Sequence, residues 1–114
     1  MMVGLALIGL LPVGPASLAW AASGTWSSTA TTGAWPTTGN WASGIVPGAT
    51  SGITNSDTAT FNSASSTLLV TPDAGRNLEF IIFDASAPGY TIGTTGGNAL
   101  MLTAGGEIQI ASTF

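Results

Sequence analysis

Residues 77–110 read NLEFIIFDASAPGYTIGTTGGNALMLTAGGEIQI, and what they form decides the fold. The runs NLEFIIFD, YTIG, ALMLT and EIQIAS are short, rich in β-branched and aromatic residues, and alternate as strands do. No helical stripe competes with that reading. Successive strand side chains point to opposite faces, so Leu78, Phe80 and Ile82 are expected on one side and Glu79, Ile81 and Phe83 on the other. Turn residues separate the runs at 72–75, Pro88-Gly89, Gly96-Gly97 and Gly105-Gly106.

Upstream, DTATF and TLLVTP carry the pattern back to Ser56. Strand centres then recur roughly every 8 to 12 residues, the spacing of an all-β sandwich, barrel or solenoid. Antiparallel hairpins favour Asn-Gly or Asp-Gly connections, which are absent, whereas both Gly-Gly pairs follow a strand as the corners of a coil would. The expectation is an all-β solenoid, with an antiparallel β-sandwich as the alternative.

Ahead of the strands, residues 24–41 read GTWSSTATTGAWPTTGNW, three tryptophans in an uncharged background of Ser, Thr, Gly and Pro with no sustained period. Residues 22–55 are therefore expected as loops and short extended pieces, a cap segment leading into strands over 56–114. Residues 1–21 read as a secretory signal peptide: an apolar run from Val3 to Val13, helix breakers at Pro12, Gly14 and Pro15, and Ala19 and Ala21 in an A-x-A arrangement, with cleavage after Ala21. The basic start usual in such leaders is missing. A membrane anchor is the competing reading, and the breakers in its middle oppose it.

Export leads to an oxidising compartment, yet the chain has no cysteine, so packing and backbone hydrogen bonds must hold it together. Its net charge is −4, with Lys and Arg totalling 1. Phosphate backbones and anionic lipid surfaces need a basic face, so neither nucleic acid nor a peripheral membrane contact is expected. With His and Cys both at 0, zinc and thiol chemistry are excluded, and no base is present to activate Ser or Thr.

The order of elements, a leader, GTWS, GNWASGIVPG, SDTATFN, LLVTPDAGRNLEFIIFDASAPGYTIG and LMLTAGGEIQI, resembles the start of large secreted bacterial proteins built on autotransporter-associated β-strand repeats. The resemblance implies a right-handed parallel β-helix, exported to the cell surface, with a structural or adhesive role. It also implies a longer chain, of which this would be the cap and first rungs; the apolar strand-like ending EIQIASTF points the same way. The family's C-terminal membrane barrel is not in this sequence, and the repeat occurs barely twice.

The carboxylates are Asp57, Asp73, Glu79, Asp84 and Glu107, with Arg76 the one cation. Asp73 and Arg76 flank the turn PDAGR, where Asp favours a side-chain to backbone bond and Arg simple solvation. Glu79 and Asp84 bracket a strand and stand about 16 Å apart, too far for paired carboxylate chemistry. GTTGG at 93–97 has the glycines of a phosphate loop without its Lys or following helix. No catalytic, cofactor or metal residue is expected, and the chain is read as not an enzyme.

Trp26, Trp35 and Trp41 remain, either as a stacking platform for surface glycans, with Asn40 and hydroxyls as hydrogen-bonding partners, or as the cap over an open apolar end. Burying one such ring is worth at most roughly 5 kcal/mol, too much for a small disulfide-free domain to leave in water. The cap is favoured, and what remains of the glycan reading is narrower: one ring, Trp35 beside Pro36, stays exposed while Trp26 and Trp41 are buried. The function expected is a non-enzymatic structural or adhesive segment of an exported surface protein, its partners glycans or other cell-surface proteins. A carbohydrate-binding module is the alternative, and a β-helix enzyme with its active site downstream is the third reading.

Overall fold

β4, Asn77–Phe83, is the strand around which the rest is arranged. The computed structural model describes residues 22–111. The leader over 1–21, its cleavage point after Ala21, and residues 112–114 lie outside the described residues. Within them the chain is strand-rich, with two short 3-10 turns, Thr38–Asn40 and Ala42–Gly44, and no α-helix.

The strands in order are β1 (Gly24–Thr25), β2 (Thr58–Phe61), β3 (Leu69–Val70), β4, β5 (Thr91–Ile92) and β6 (Met101–Ile110). They form a four-stranded sheet in the order β1-β2-β4-β6 and a two-stranded sheet β3-β5, and every named strand pair is parallel. An antiparallel sandwich would have been joined by hairpins, and none occurs among these strands. The antiparallel contacts are isolated bridges, Trp26 with Trp41 and Ala49 with Asn77.

Register lines side chains into columns through the sheet. Gly24 is level with Ala59, Ala59 with Ile81, and Ile81 with Ile108. Two residues further, Phe61 is level with Phe83 and Phe83 with Ile110, while Trp26 continues this column behind β1 through its N–H bond to the Thr60 carbonyl at 2.9 Å. The first column grows from Gly to Ala to Ile. Gly24 has no room for a side chain because the Ile45 carbonyl and the Pro47 ring press against it. The Trp41 ring also lies close by, 3.3 Å from where a Cβ would stand.

Two features depart from the sequence reading. ALMLT and EIQIAS, expected as separate strands with a corner at Gly105-Gly106, are one ten-residue strand, β6. Both halves pair with β4: Leu78 is level with Leu102 and Phe80 with Glu107, so residues 103–106 bulge opposite Glu79. Gly105 adopts φ +86°, a conformation glycine permits at little cost.

A second irregularity, on the β2 side of β4, overturns the expected alternation. The Asp57 carbonyl accepts from both Glu79 N–H (3.1 Å) and Phe80 N–H (3.0 Å), which inserts one residue and flips the phase. Leu78 and Ile81 are the buried pair, and Phe80 and Ile82 turn partly outward. The Gly96-Gly97 turn stands where expected, with Gly96 at φ +77° and Gly97 N–H bonded to the Thr94 carbonyl.

Candidate functional site

Trp26, Trp35 and Trp41 come together as one cluster. Ring centroids of Trp41 lie 4.9 Å from both Trp26 and Trp35, and Phe61 sits about 6 Å from each of the three. Beyond Phe61 the chain of rings runs on to Phe83, stacked at 5.3 Å, and to Tyr90 at 5.0 Å. The tryptophans are 1%, 0% and 2% exposed in sequence order. Trp35, the ring that the glycan reading leaves in water, is therefore fully enclosed, packed against Trp41 and Phe61 with its backbone N–H bonded to the Thr71 carbonyl at 2.9 Å.

Each indole N–H is engaged inside the protein. Trp26 donates to the Thr67 carbonyl (3.0 Å), Trp35 to that of Pro47 (2.9 Å) and Trp41 to that of Trp35 (2.7 Å). A sugar-stacking platform needs an open ring face, and none of these rings offers one. Asn40, expected to hydrogen-bond a ligand, is also buried: its amide donates to Thr32 Oγ1 and the Ala34 carbonyl, both at 2.9 Å, and its Oδ1 accepts from Thr31 N–H at 3.1 Å. It holds the 31–34 loop against the ring cluster.

The second cluster is polar and joins the N-terminal segment to the sheet. Asp57 is buried, its carboxylate accepting from Ala22 N–H (2.6 Å) and Gly48 N–H (3.0 Å). Asn77, wholly enclosed, donates to the Ala49 (3.2 Å) and Gly75 (3.0 Å) carbonyls and accepts from Asn55 Nδ2 (2.5 Å).

Arg76 is buried rather than solvated. Its Nε and Nη2 grip the two Asp73 carboxylate oxygens at 2.8 Å each, and Nη1 donates to the Pro47 (3.2 Å) and Gly48 (2.8 Å) carbonyls. That bidentate bond holds the Asp73 carboxyl below its ordinary range, against a smaller upward push from burial. Among the described residues, no buried side-chain polar atom lacks a partner.

The remaining carboxylates do not converge. Asp84 accepts from Ser86 N–H (3.0 Å) and Oγ (2.9 Å) in a local turn, and Glu107 accepts from Gln109 Nε2 (2.9 Å). Glu79 lines a shallow cleft of about 350 Å³ with Asn55, Thr103 and Ala104, where it is the single ionisable group. Among the described residues no group of His, Cys, Asp and Glu is arranged to hold a metal ion, and no helix is long and apolar enough to cross a membrane.

A cleft of about 370 Å³ opens at the far end of the ring column, lined by Phe83, Asp84, Pro88, Tyr90 and Ile110. The Tyr90 hydroxyl donates to the Asn62 carbonyl at 2.8 Å, and burial, helped by the charge of Asp84, pushes its pKa up. Sequence reasoning missed the two buried polar anchors, Asp57 and Arg76. The one signal available was that a chain so poor in charge keeps both close to strand starts. Comparison with protein-family models, curated proteins and solved structures finds no match for the chain.

Proposed function

We propose that the chain is the N-terminal cap and first rungs of a right-handed parallel β-helix, acting as a non-enzymatic structural or adhesive segment of an exported bacterial surface protein. The observation that carries this reading is the parallel register β1-β2-β4-β6, in which successive stretches of chain return to stack residue on residue. Parallel neighbours need long crossover connections, and here the crossovers pass through β3 and β5, which form a second parallel sheet of their own. This arrangement supports the reading of a coil, two of whose turns contribute a strand to a second face.

The N-terminal end supports the cap half of the reading. A stack of rungs exposes its core at its ends unless something covers it, and three tryptophans packed against Phe61 cover this one. The buried polar residues Asp57, Arg76 and Asn77 are occupied in holding backbone, and the remaining carboxylates do not converge, which favours a scaffold over a catalyst.

Expression in a bacterial host, followed by fractionation and N-terminal sequencing, tests the export half. Recovery outside the cytoplasm with the chain starting at Ala22 is expected, and a cytoplasmic chain retaining Met1 sinks it. An experimental structure with β4 and β6 antiparallel removes the architectural half. For the role, cells displaying the chain are scored for adhesion to glycan-coated and protein-coated surfaces, and hydrolysis of a polysaccharide panel by the purified chain would overturn the non-enzymatic assignment.

A further inference from the structure

Asp57 is 2% exposed, and its carboxylate is met from two sides by backbone nitrogen: Ala22 N–H at Oδ1 (2.6 Å) and Gly48 N–H at Oδ2 (3.0 Å). Both donors are neutral amides. A carboxylate withdrawn from water is costly unless an opposite charge meets it. Arg76, the one Lys or Arg of the chain, is already engaged: its Nε and Nη2 hold Asp73, and its Nη1 holds the Pro47 and Gly48 carbonyls.

The nitrogen at Oδ1 belongs to Ala22, the residue directly after the expected cleavage point. Hydrolysis of the Ala21–Ala22 peptide bond consumes one water. Its hydroxyl joins the Ala21 carbonyl carbon, the C–N bond breaks, and the Ala22 nitrogen takes the water proton together with the one the new acid sheds. Ala21 leaves as a carboxylate, and Ala22 is left with an α-ammonium, charged at neutral pH. The atom that donates to Asp57 as an amide then donates as a cation.

We propose that Asp57 is the receptor for the N-terminus released by leader removal, forming an ion pair with the Ala22 α-ammonium that stabilises the processed chain over its precursor. This rests on the reading that cleavage follows Ala21; the position of the pair rests on the geometry. The precursor keeps a neutral donor at the carboxylate, and processing supplies the missing charge.

The contacts that hold Ala22 in place all lie downstream of the cut. Ser23 Oγ accepts from Thr58 N–H at 3.1 Å, and Gly24 and Thr25 are in parallel register with Ala59 and Thr60. Asp57 is fixed as well, its N–H donating to Asn55 Oδ1 at 3.2 Å and its carbonyl accepting from Glu79 and Phe80 N–H. The pair therefore needs no rearrangement to form. Ala22 is half-buried, so one ammonium proton meets the carboxylate while the others reach water. A charge-assisted bond of this kind is roughly twice as strong as a neutral one.

The chain has no lysine, so once the leader is gone the Ala22 α-amine is its single primary amine. The test uses the processed chain, beginning at Ala22 and released from a removable fusion so that its start depends on no cellular peptidase. Half is acetylated at that amine after unfolding and then refolded. The free-amine chain should have the higher denaturant midpoint, with a folding equilibrium constant roughly tenfold larger, the equivalent of one unit in the amine's pKa. In Asp57→Asn the gap between free and acetylated chains should close. An amine-reactive probe should label the folded chain about tenfold more slowly than the same chain in urea, and folded Asp57→Asn should lose that protection.

Equal midpoints for free and acetylated chains, a gap that persists undiminished in Asp57→Asn, or labelling as fast in the folded chain as in urea would overturn the pairing. Should Asp57→Asn misfold, the acetylation and labelling arms on the unaltered sequence still decide. N-terminal sequencing of the exported chain reads the other half separately: a start other than Ala22 overturns the cleavage reading and the processing role with it, whereas equal midpoints overturn the pair wherever export begins.

Discussion

The N-terminal end of the sheet and its β6 end carry the same register columns to opposite fates. At the first, Gly24 is so crowded that a side chain could not fit, and three rings close the core. At the second, two isoleucines in line with Ile81 and Phe83 stand in water. Position in a column thus does not determine what a residue contributes to stability; what lies beyond it does.

The largest test of that contrast is Trp41→Ala. The ring is central to the cluster and leaves a cavity that rigid neighbours cannot fill, so a loss of about 3–5 kcal/mol is expected in denaturant titration. Against a typical domain stability of about 5–15 kcal/mol, that leaves the chain marginal or unfolded. A loss comparable to a surface substitution would mean the closed end is not what holds the fold.

Next come paired substitutions in one column. Ile81→Ala should cost about 3 kcal/mol, while Ile108→Ala should change the stability of the isolated chain by less than about 0.5 kcal/mol. Equal effects would erase the distinction between the ends. Asp57→Ala should follow at about 2 kcal/mol, because two backbone N–H groups, those of Ala22 and Gly48, lose their acceptor.

The smallest effects are in pH, and they separate the two ends by sign. Asp73 has a lowered pKa in the folded chain, so its contribution is fully present above about pH 4, the ordinary carboxylate value, and is lost as pH falls below that. Acid should thus loosen Arg76 from Asp73 and from the 47–48 stretch, an effect that Asp73→Asn removes. Tyr90, with a raised pKa, contributes below about pH 10 and loses its contribution as pH rises through its higher folded value. Alkali should therefore act first near the open end, an effect absent in Tyr90→Phe and read by hydrogen exchange.

The strands were legible because their β-branched and aromatic runs alternate and are punctuated by Gly and Pro. All of β2 to β5 fall where those runs do. β6 was misread as two strands because a glycine pair signals a bulge and a corner in the same letters, and which one forms depends on the partner strand. The phase of β4 failed for a related reason: one carbonyl, that of Asp57, receives two N–H groups, an event fixed by tertiary pairing and invisible to local alternation.

At the candidate site, burial of Trp26, Trp35 and Trp41 follows from the scarcity of other means of holding the chain together, and it leaves no ring for the narrower glycan reading. Proximity to Pro36 does not make the ring loose. What packs the Trp35 ring is Trp41 and Phe61, and the loop before it is held by Asn40, whose side chain has no signature separating a surface amide from a buried one. Arg76 was read as solvated because turns usually face water; its partners are carbonyls nearly thirty residues away.

The three indole hydrogen bonds also set an order of assembly. Trp41 reaches a carbonyl 6 residues away, Trp35 one 12 away and Trp26 one 41 away. Loop closure over the longest span costs about 1.5–2 kcal/mol more than over the shortest. The Trp35 and Trp41 rings can therefore dock while the later strands are still unformed, and Trp26 must wait until Thr67 has come into place. The cluster is in this sense a clock as much as a lid: in refolding of the unaltered chain followed by hydrogen exchange, the Trp35 and Trp41 indole N–H groups should gain protection before that of Trp26.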